Sequence, residues 1–270
     1  MPQEPVDRRP IWKVQDDRRI RTEDWVAVEE PLEIRVAGES LAIIMRTPGE
    51  DLELAAGFSL TEGVVRSIHE IGTMRQCRSD EESALNVVEI TLTEGTAWDA
   101  GRLRRNLISS AACGLCGRAS LDALATRAKP CRSSLRVPGR VLETLPDRLA
   151  GMQAAFGRTG ALHAAALFDA EGGAVVCRED VGRHNAVDKV VGRMGLDGAD
   201  LSGNILLVSG RTSFEILQKA VVAGIPVVCA ISGPTTLAID TAEAFNITLV
   251  NFLRGRAMNI ATCPERITGD

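Results

Sequence analysis

Between Ala161 and Phe252 the chain repeats one alternation: a short apolar run, a stretch with helical spacing, then another short apolar run. The runs Ala161 to Phe168, Ala174 to Cys177, Ile205 to Val208, Ile225 to Ile231 and Ile247 to Phe252 predict strands, and residues 184–194, 213–222 and 235–244 predict helices. Strands separated by helices of this length need crossover connections, which build a mostly parallel sheet with helices on both faces. The expected class is therefore a three-layer α/β fold. Its functional loops belong at the carboxyl ends of the strands.

Upstream the rhythm differs. Leu32, Ile34 and Val36 alternate with polar neighbours, residues 37–40 make a turn, and Leu41 to Met45 runs back, which reads as an antiparallel hairpin. Thr47-Pro48-Gly49-Glu50 has the form of a capping box with proline at the first helical position, opening a helix through Leu52, Leu54, Ala55 and Phe58 that Gly63 stops. Residues 84–92 read as a further strand, and Leu142, Leu145, Leu149, Met152 and Phe156 as the buried stripe of one helix. The expected division is a flexible arm over 1–22, a smaller α+β region over 23–135, and the α/β region over 136–270.

Composition narrows the functions. The net charge of -5 gives no bulk attraction for nucleic acid or an anionic membrane. Without tyrosine, and with only six Phe and three Trp, there is no aromatic ladder for stacking bases. No apolar run approaches the length of a membrane span. Seven cysteines, an odd and mostly scattered set, fit a reduced compartment better than a disulfide framework. Arg8-Arg9 is followed by Pro10, Lys13 and a charged run where an export signal needs apolar residues, so a cytoplasmic location is expected.

Four strand ends depart from the generic pattern. They carry Arg178 to Asn185, Ser209-Gly210-Arg211-Thr212, Ser232-Gly233-Pro234-Thr235-Thr236, and Phe252-Leu253-Arg254-Gly255-Arg256. Free N–H groups at a helix start, a glycine that permits close approach and an arginine fork together suit an anion. Each loop alone reads equally well as a helix cap, Thr212 with Glu215 being one such box. Neither a Walker loop nor a G-x-G-x-x-G is present. Four such loops along one sheet edge point to a large, multiply phosphorylated ligand.

Residues 109–117 read Ser-Ser-Ala-Ala-Cys-Gly-Leu-Cys-Gly. Cys113 and Cys116 at this spacing serve a redox switch, half a zinc site or sulfur carriage. A structural zinc site needs a second pair, and a deaminase-type zinc site needs His-x-Glu, whereas His163 is followed by two alanines. Thioredoxin-like chemistry expects a strand leading into the pair, which is not evident here. Arg102, Arg104, Arg105 and Arg118 flank the pair in sequence and favour thiolate over thiol.

Together, the segments around Cys113, Thr159 to Asp169, Glu179 to Gly192, Ser209 to Ala220 and Ser232 to Ile260 resemble the formate dehydrogenase accessory sulfurtransferase family, FdhD. The resemblance spans about residues 24 to 265. It implies a cytidine-deaminase-like three-layer fold, with a mixed and mostly parallel sheet and without zinc, and a cytoplasmic, homodimeric sulfurtransferase. Such a protein takes persulfide sulfur from a cysteine desulfurase and delivers it to the molybdenum cofactor, bis-molybdopterin guanine dinucleotide, for formate dehydrogenase. Carried over, Cys113 bears the persulfide, Cys116 resolves or relays it, and Phe252, Leu253, Arg254, Gly255, Arg256 and Ala257 contact the cofactor. Ser209, Gly210, Arg211 and Ser232 join that set by the strand-end argument alone. The competing reading is a non-enzymatic cofactor-binding chaperone whose cysteines form a redox latch. His184 reads either as a group facing the cofactor or as a loop-fixing residue, Glu179 and Asp180 as partners of Arg183, and His163 as a core histidine.

Overall fold

A computed structural model describes residues 4–77, 86–96, 98 and 117–269. The chain opens with β1 (Val6–Gln15) and β2 (Arg18–Ala27), paired antiparallel from Val6 opposite Ala27 to Gln15 opposite Arg18. The segment expected as a flexible arm is thus a hairpin. Its turn is Asp16-Asp17, with φ of 50° and 59°, and aspartate tolerates that left-handed conformation because its short side chain bonds locally.

The expected second hairpin is present as β3 (Glu30–Val36) and β4 (Glu39–Arg46). With β5 (Ile71–Cys77) and β6 (Val87–Leu92) it forms a sheet in the order β4-β3-β6-β5. Helix α1 (Asp51–Thr61) covers one face, packing Leu54, Ala55 and Phe58 on Leu32, Ile34, Val88 and Ile90. This helix starts later than its apparent capping box. Thr47 is engaged elsewhere: its hydroxyl accepts the Val181 N–H at 3.1 Å and its carbonyl accepts Lys189 Nζ at 3.0 Å.

The second part comprises α2 (Gly117–Ala125), β7 (Val137–Pro138), α3 (Gly139–Met152), α4 (Ala154–Thr159), β8 (His163–Phe168), β9 (Ala174–Asp180), α5 (Arg183–Leu196), β10 (Ile205–Val208), α6 (Phe214–Ala223), β11 (Val227–Ala230), α7 (Thr236–Ala244), β12 (Thr248–Arg254), β13 (Ala257–Thr262) and β14 (Ile267–Thr268). Six of these strands form a sheet in the order β13-β12-β11-β10-β8-β9. Helices α5, α6 and α7 bury one face around Leu167, Leu206, Val228 and Leu249. Helix α3 buries the other through Leu142, Leu145 and Leu149 against Ala166, Phe168, Leu207 and Val250. The result is a mixed α/β architecture in three layers.

The sheet is mixed, as expected, but it is not mostly parallel. Only β10, β11 and β12 run parallel, while β8 pairs antiparallel with both β10 and β9, and β13 with β12. Residues 169–173 between β8 and β9 are too few for a crossover and form a tight return instead. The expected single helix through Phe156 also breaks, at Gln153, where ψ is 71°. The Glu179 carboxylate starts α4 anew by accepting the Ala155 and Phe156 N–H groups at 2.9 and 2.7 Å.

Helices α1 and α5 join the two parts. Lys219 on α6 donates to Thr61 at 3.0 Å, and to Glu62 and Asp188 at 2.8 Å each, while Thr61 donates to Asp188 at 2.8 Å. Burial alone would lower Lys219, but the Asp188 and Glu62 carboxylates more than reverse it and hold the ammonium charged.

Candidate functional site at the sheet edge

The strand directions gather five chain segments at one edge. Because β8 opposes β10, its start lies beside the end of β10: the Ser209 N–H donates to the Ala164 carbonyl and the Ala164 N–H to Ser209 Oγ, both at 2.9 Å. Asp180, ending β9, pairs with His163. Beyond the ends of β10 and β11 the Thr212 N–H donates to the Gly233 carbonyl at 3.2 Å, and the Thr235 N–H returns to the Thr212 carbonyl at 3.0 Å. The Phe252 N–H reaches the Ser232 carbonyl at 3.2 Å, and Arg254 Nε the Ile231 carbonyl at 3.4 Å. Ser209, Gly210, Arg211, Ser232, Phe252 and Arg254 therefore share one rim, as strand-end reasoning expected.

Two glycines sit close against side chains of this edge. A methyl on Gly233 would stand 2.7 Å from Phe252 Cζ, and one on Gly210 3.3 Å from His163 Nδ1. Phe252 itself has φ of 52° at a bulge between Asn251 and Arg254, and is 46% exposed. The bulge turns Phe252 outward and Leu253 inward. Leu253 is fully buried in the core beneath α3, which removes it from any ligand-facing set. Gly255, Arg256 and Ala257 lie exposed around the β12–β13 turn.

The electrostatics favour anions. Burial and the neighbouring charge of Arg211 lower the pKa of Arg183, with Glu215 opposing. Burial, then Arg183 and Lys219, push His184 down to about 4, so its imidazole is neutral at pH 7. Burial and Arg183 lower His163 as well. Three buried polar atoms here, Arg183 Nε, His184 Nε2 and Asn251 Oδ1, have no hydrogen-bond partner among the described residues. Buried polar groups are ordinarily satisfied, so this edge holds unspent polar atoms on Arg183 and His184 near the Arg211 charge, and one on Asn251 beside Thr212 and Ser232. Asn251 escaped sequence reading because it sits inside an apolar run; its amide donates to Thr212 Oγ1 at 2.9 Å and to the Ser232 carbonyl at 3.3 Å.

Neither acidic neighbour acts as a partner of Arg183. Glu179 caps α4, and Asp180, fully buried, pairs with Lys189 Nζ at 2.9 Å and accepts from Asn185 at 2.9 Å. Cys113, Cys116, Arg102, Arg104 and Arg105 lie outside the described residues. Of the other cysteines, burial and then Glu179 raise Cys177 to about 11, and burial raises the fully enclosed Cys229. Cys263 is raised too, by burial first. All three stay protonated and poorly nucleophilic at neutral pH. Among the described residues no helix is long and apolar enough to cross a membrane.

Residues 27–268 match the model of the FdhD/NarQ family. The protein named sulfur carrier protein FdhD from Streptomyces avermitilis is 47% identical over 269 residues, covering 97% of this chain and 95% of that one. Its namesake from Streptomyces coelicolor is 48% identical over 270 residues, with the same coverage. The one from Saccharolobus solfataricus is 45% identical over 266 residues, covering 97% and 98%. A crystal structure from Desulfotalea psychrophila, assigned as a formate dehydrogenase accessory protein, superposes with a TM-score of 0.79 at 22% identity, over 98% of this chain and all of that one. At that identity the likeness concerns the fold.

Proposed function

The chain belongs to the FdhD/NarQ family, and from that membership we propose that it is a sulfur carrier serving formate dehydrogenase maturation in the cytoplasm. Cys113 is the carrier. Its thiolate attacks the terminal sulfur of a persulfide on a cysteine desulfurase, an S–S bond forms on Cys113, and the donor cysteine leaves as thiolate. On delivery the Cys116 thiolate attacks Cys113 Sγ, sulfide departs with the electron pair, and a Cys113–Cys116 disulfide remains for a cellular dithiol to reduce.

The acceptor is the molybdenum of bis-molybdopterin guanine dinucleotide, carried as cargo. The observation that supports this most is the sheet edge, which carries Arg183 and Arg211 as charged neighbours, Arg254 on the Ile231 carbonyl, and unspent polar atoms of Arg183, His184 and Asn251. Arginine and free N–H groups in that arrangement suit pyrophosphate. The raised thiols of Cys177, Cys229 and Cys263 favour the pair at 113 and 116 as the carrier.

The test is intact-mass analysis after incubation with a cysteine desulfurase and cysteine under non-reducing conditions. A reducible gain of about 32 mass units on the peptide holding Cys113 and Cys116, absent from Cys113→Ala, is the expected result. Loss of two hydrogens alone would replace the carrier by a redox-latched cofactor chaperone.

A further inference from the structure

The parallel strands β10, β11 and β12 start at the sheet edge opposite the rim, and their amino ends border a cavity of about 380 Å³. Ser202 precedes β10, Ile225 precedes β11 and Ile247 precedes β12, and all three residues line it. With Val221 and Phe245, Ile225 and Ile247 make an apolar wall. A volume of this size lies in the range of small-molecule sites.

A strap between α2 and β7 closes one side. The Cys131 N–H donates to the Phe245 carbonyl and the Asn246 amide to the Cys131 carbonyl, both at 2.8 Å, while Ser133 Oγ donates to the Ser202 carbonyl at 2.6 Å. Residues 131–133 are thus tied to the turn before β12 and to the turn before β10. The cavity is formed without any ligand to hold it open, so binding there costs little ordering of the chain.

The hydroxyls and N–H groups around it are committed. Ser133 Oγ also accepts the Leu135 N–H at 3.1 Å, and the Ser133 N–H turns to Cys131 Sγ at 3.5 Å. Ser202 gives its N–H and its hydroxyl to Asp200 at 3.0 and 2.7 Å. The N–H groups of Gly224 and Ile225 return to the Val221 and Ala220 carbonyls of α6 at 3.1 and 3.0 Å. Lys129 and Arg132, which also line the cavity, are different: both are exposed, and neither makes an ion pair or a side-chain hydrogen bond among the described residues. Helices α6 and α7 end here, and a helix's carboxyl end favours nearby cations, yet both side chains are left without a partner.

We propose that this cavity is a ligand site of its own, and that it takes a small organic anion with an aromatic or branched apolar body and one carboxylate. The apolar wall receives the body, and the carboxylate stays at the mouth, where Arg132 offers a bidentate fork and Lys129 a point charge. A phosphate group wants several converging N–H groups, and those nearby are committed. A neutral molecule would leave both cations unused, and an amine would be repelled by them. The proposal is independent of the sulfur-carrier reading, since it uses none of the residues assigned there.

Calorimetric titration of the full chain tests it with probes that share one ring system: 1-naphthoate, the neutral 1-naphthamide and the cationic 1-naphthylmethylamine. Naphthoate should bind about tenfold or more tighter than the amide, and the amine should bind least. Lys129→Gln combined with Arg132→Gln, both at exposed positions, should bring naphthoate down to the level of the amide, with far-UV circular dichroism checking that the fold is kept. Because Cys131 lines the cavity, bound naphthoate should also slow its alkylation by iodoacetamide, read by peptide mapping, and leave Cys77 on β5 unaffected. No binding of naphthoate at millimolar concentration, equal affinity for naphthoate and the amide, indifference to the double variant, or an unprotected Cys131 would each overturn the proposal.

Discussion

Gly57 of α1 and Gly192 of α5 meet back to back, each at a point where the opposite helix backbone leaves no room for a methyl group. A Cβ on Gly57 would overlap the Asp188 carbonyl, and one on Gly192 the Glu53 carbonyl. Backbone cannot swing aside as a side chain can, so Gly57→Ala or Gly192→Ala must push the helices apart. Either should cost about 3 kcal/mol of unfolding free energy, read by denaturant titration; a change below about 0.5 kcal/mol would show that the crossing is loose.

Lys219 is the hub beside this crossing. Lys219→Met should cost about 3 to 5 kcal/mol, because it strands the carboxylates of Asp188 and Glu62 without their cation. Adding Asp188→Asn should recover part of the loss. A double variant no more stable than the single would place the loss in lysine packing rather than in charge.

Acid sensitivity should trace to His184. Its folded pKa lies near 4 against an ordinary 6.5, through burial first and then Arg183 and Lys219. The unfolded chain therefore takes the proton first as pH falls, so stability is complete above about 6.5 and declines toward 4. His184→Gln should flatten that decline by on the order of 2 kcal/mol at about pH 5. Unfolding curves at several pH values decide it, and parallel profiles for both proteins would show that other groups carry the effect.

Much of this architecture was readable beforehand, for identifiable reasons. Ile205–Val208 and Val227–Ala230 are buried on both faces, so each strand is written as an unbroken apolar run. The β1–β2 ribbon was missed because both its faces are wet and no apolar alternation marks it; the paired aspartates were its only signal. Thr47 looked like a helix cap, yet its hydroxyl serves Val181, 134 residues away, a contact that no local pattern encodes. At the sheet edge, strand-end logic placed Ser209, Ser232 and Arg254 on one rim, but the bulge that reverses Phe252 and Leu253 depends on pairing with β13.

Native alkylation at pH 7 should discriminate among the thiols. Cys177, held near 11, and the enclosed Cys229 should react far more slowly than the pair at 113 and 116. Peptide mapping after brief iodoacetamide treatment measures this. Prior labelling of Cys177 would contradict the carrier assignment.

Replacing Arg254 and Arg256 together by alanine should weaken guanine-nucleotide binding, with the loss largest at low ionic strength and shrinking as salt screens the wild-type contacts. Calorimetric titration at two salt concentrations provides the comparison. Equal affinity of both proteins would remove the β12–β13 turn from the phosphate contacts.

The joint between α1 and α5 also sets a timetable for the nascent chain. Glu53 bonds Arg178 across 125 residues, Thr61 bonds Asp188 across 127, and Lys219 reaches Thr61 across 158. At synthesis rates of about 5–20 residues per second, α1 waits on the order of 10 s before the surface that seats its Gly57 face emerges from the ribosome. Through that interval the first-made part of the protein is a half-finished interface, exposed to whatever binds unfolded chains, and its safe assembly is a race that only the arrival of α5 and α6 ends.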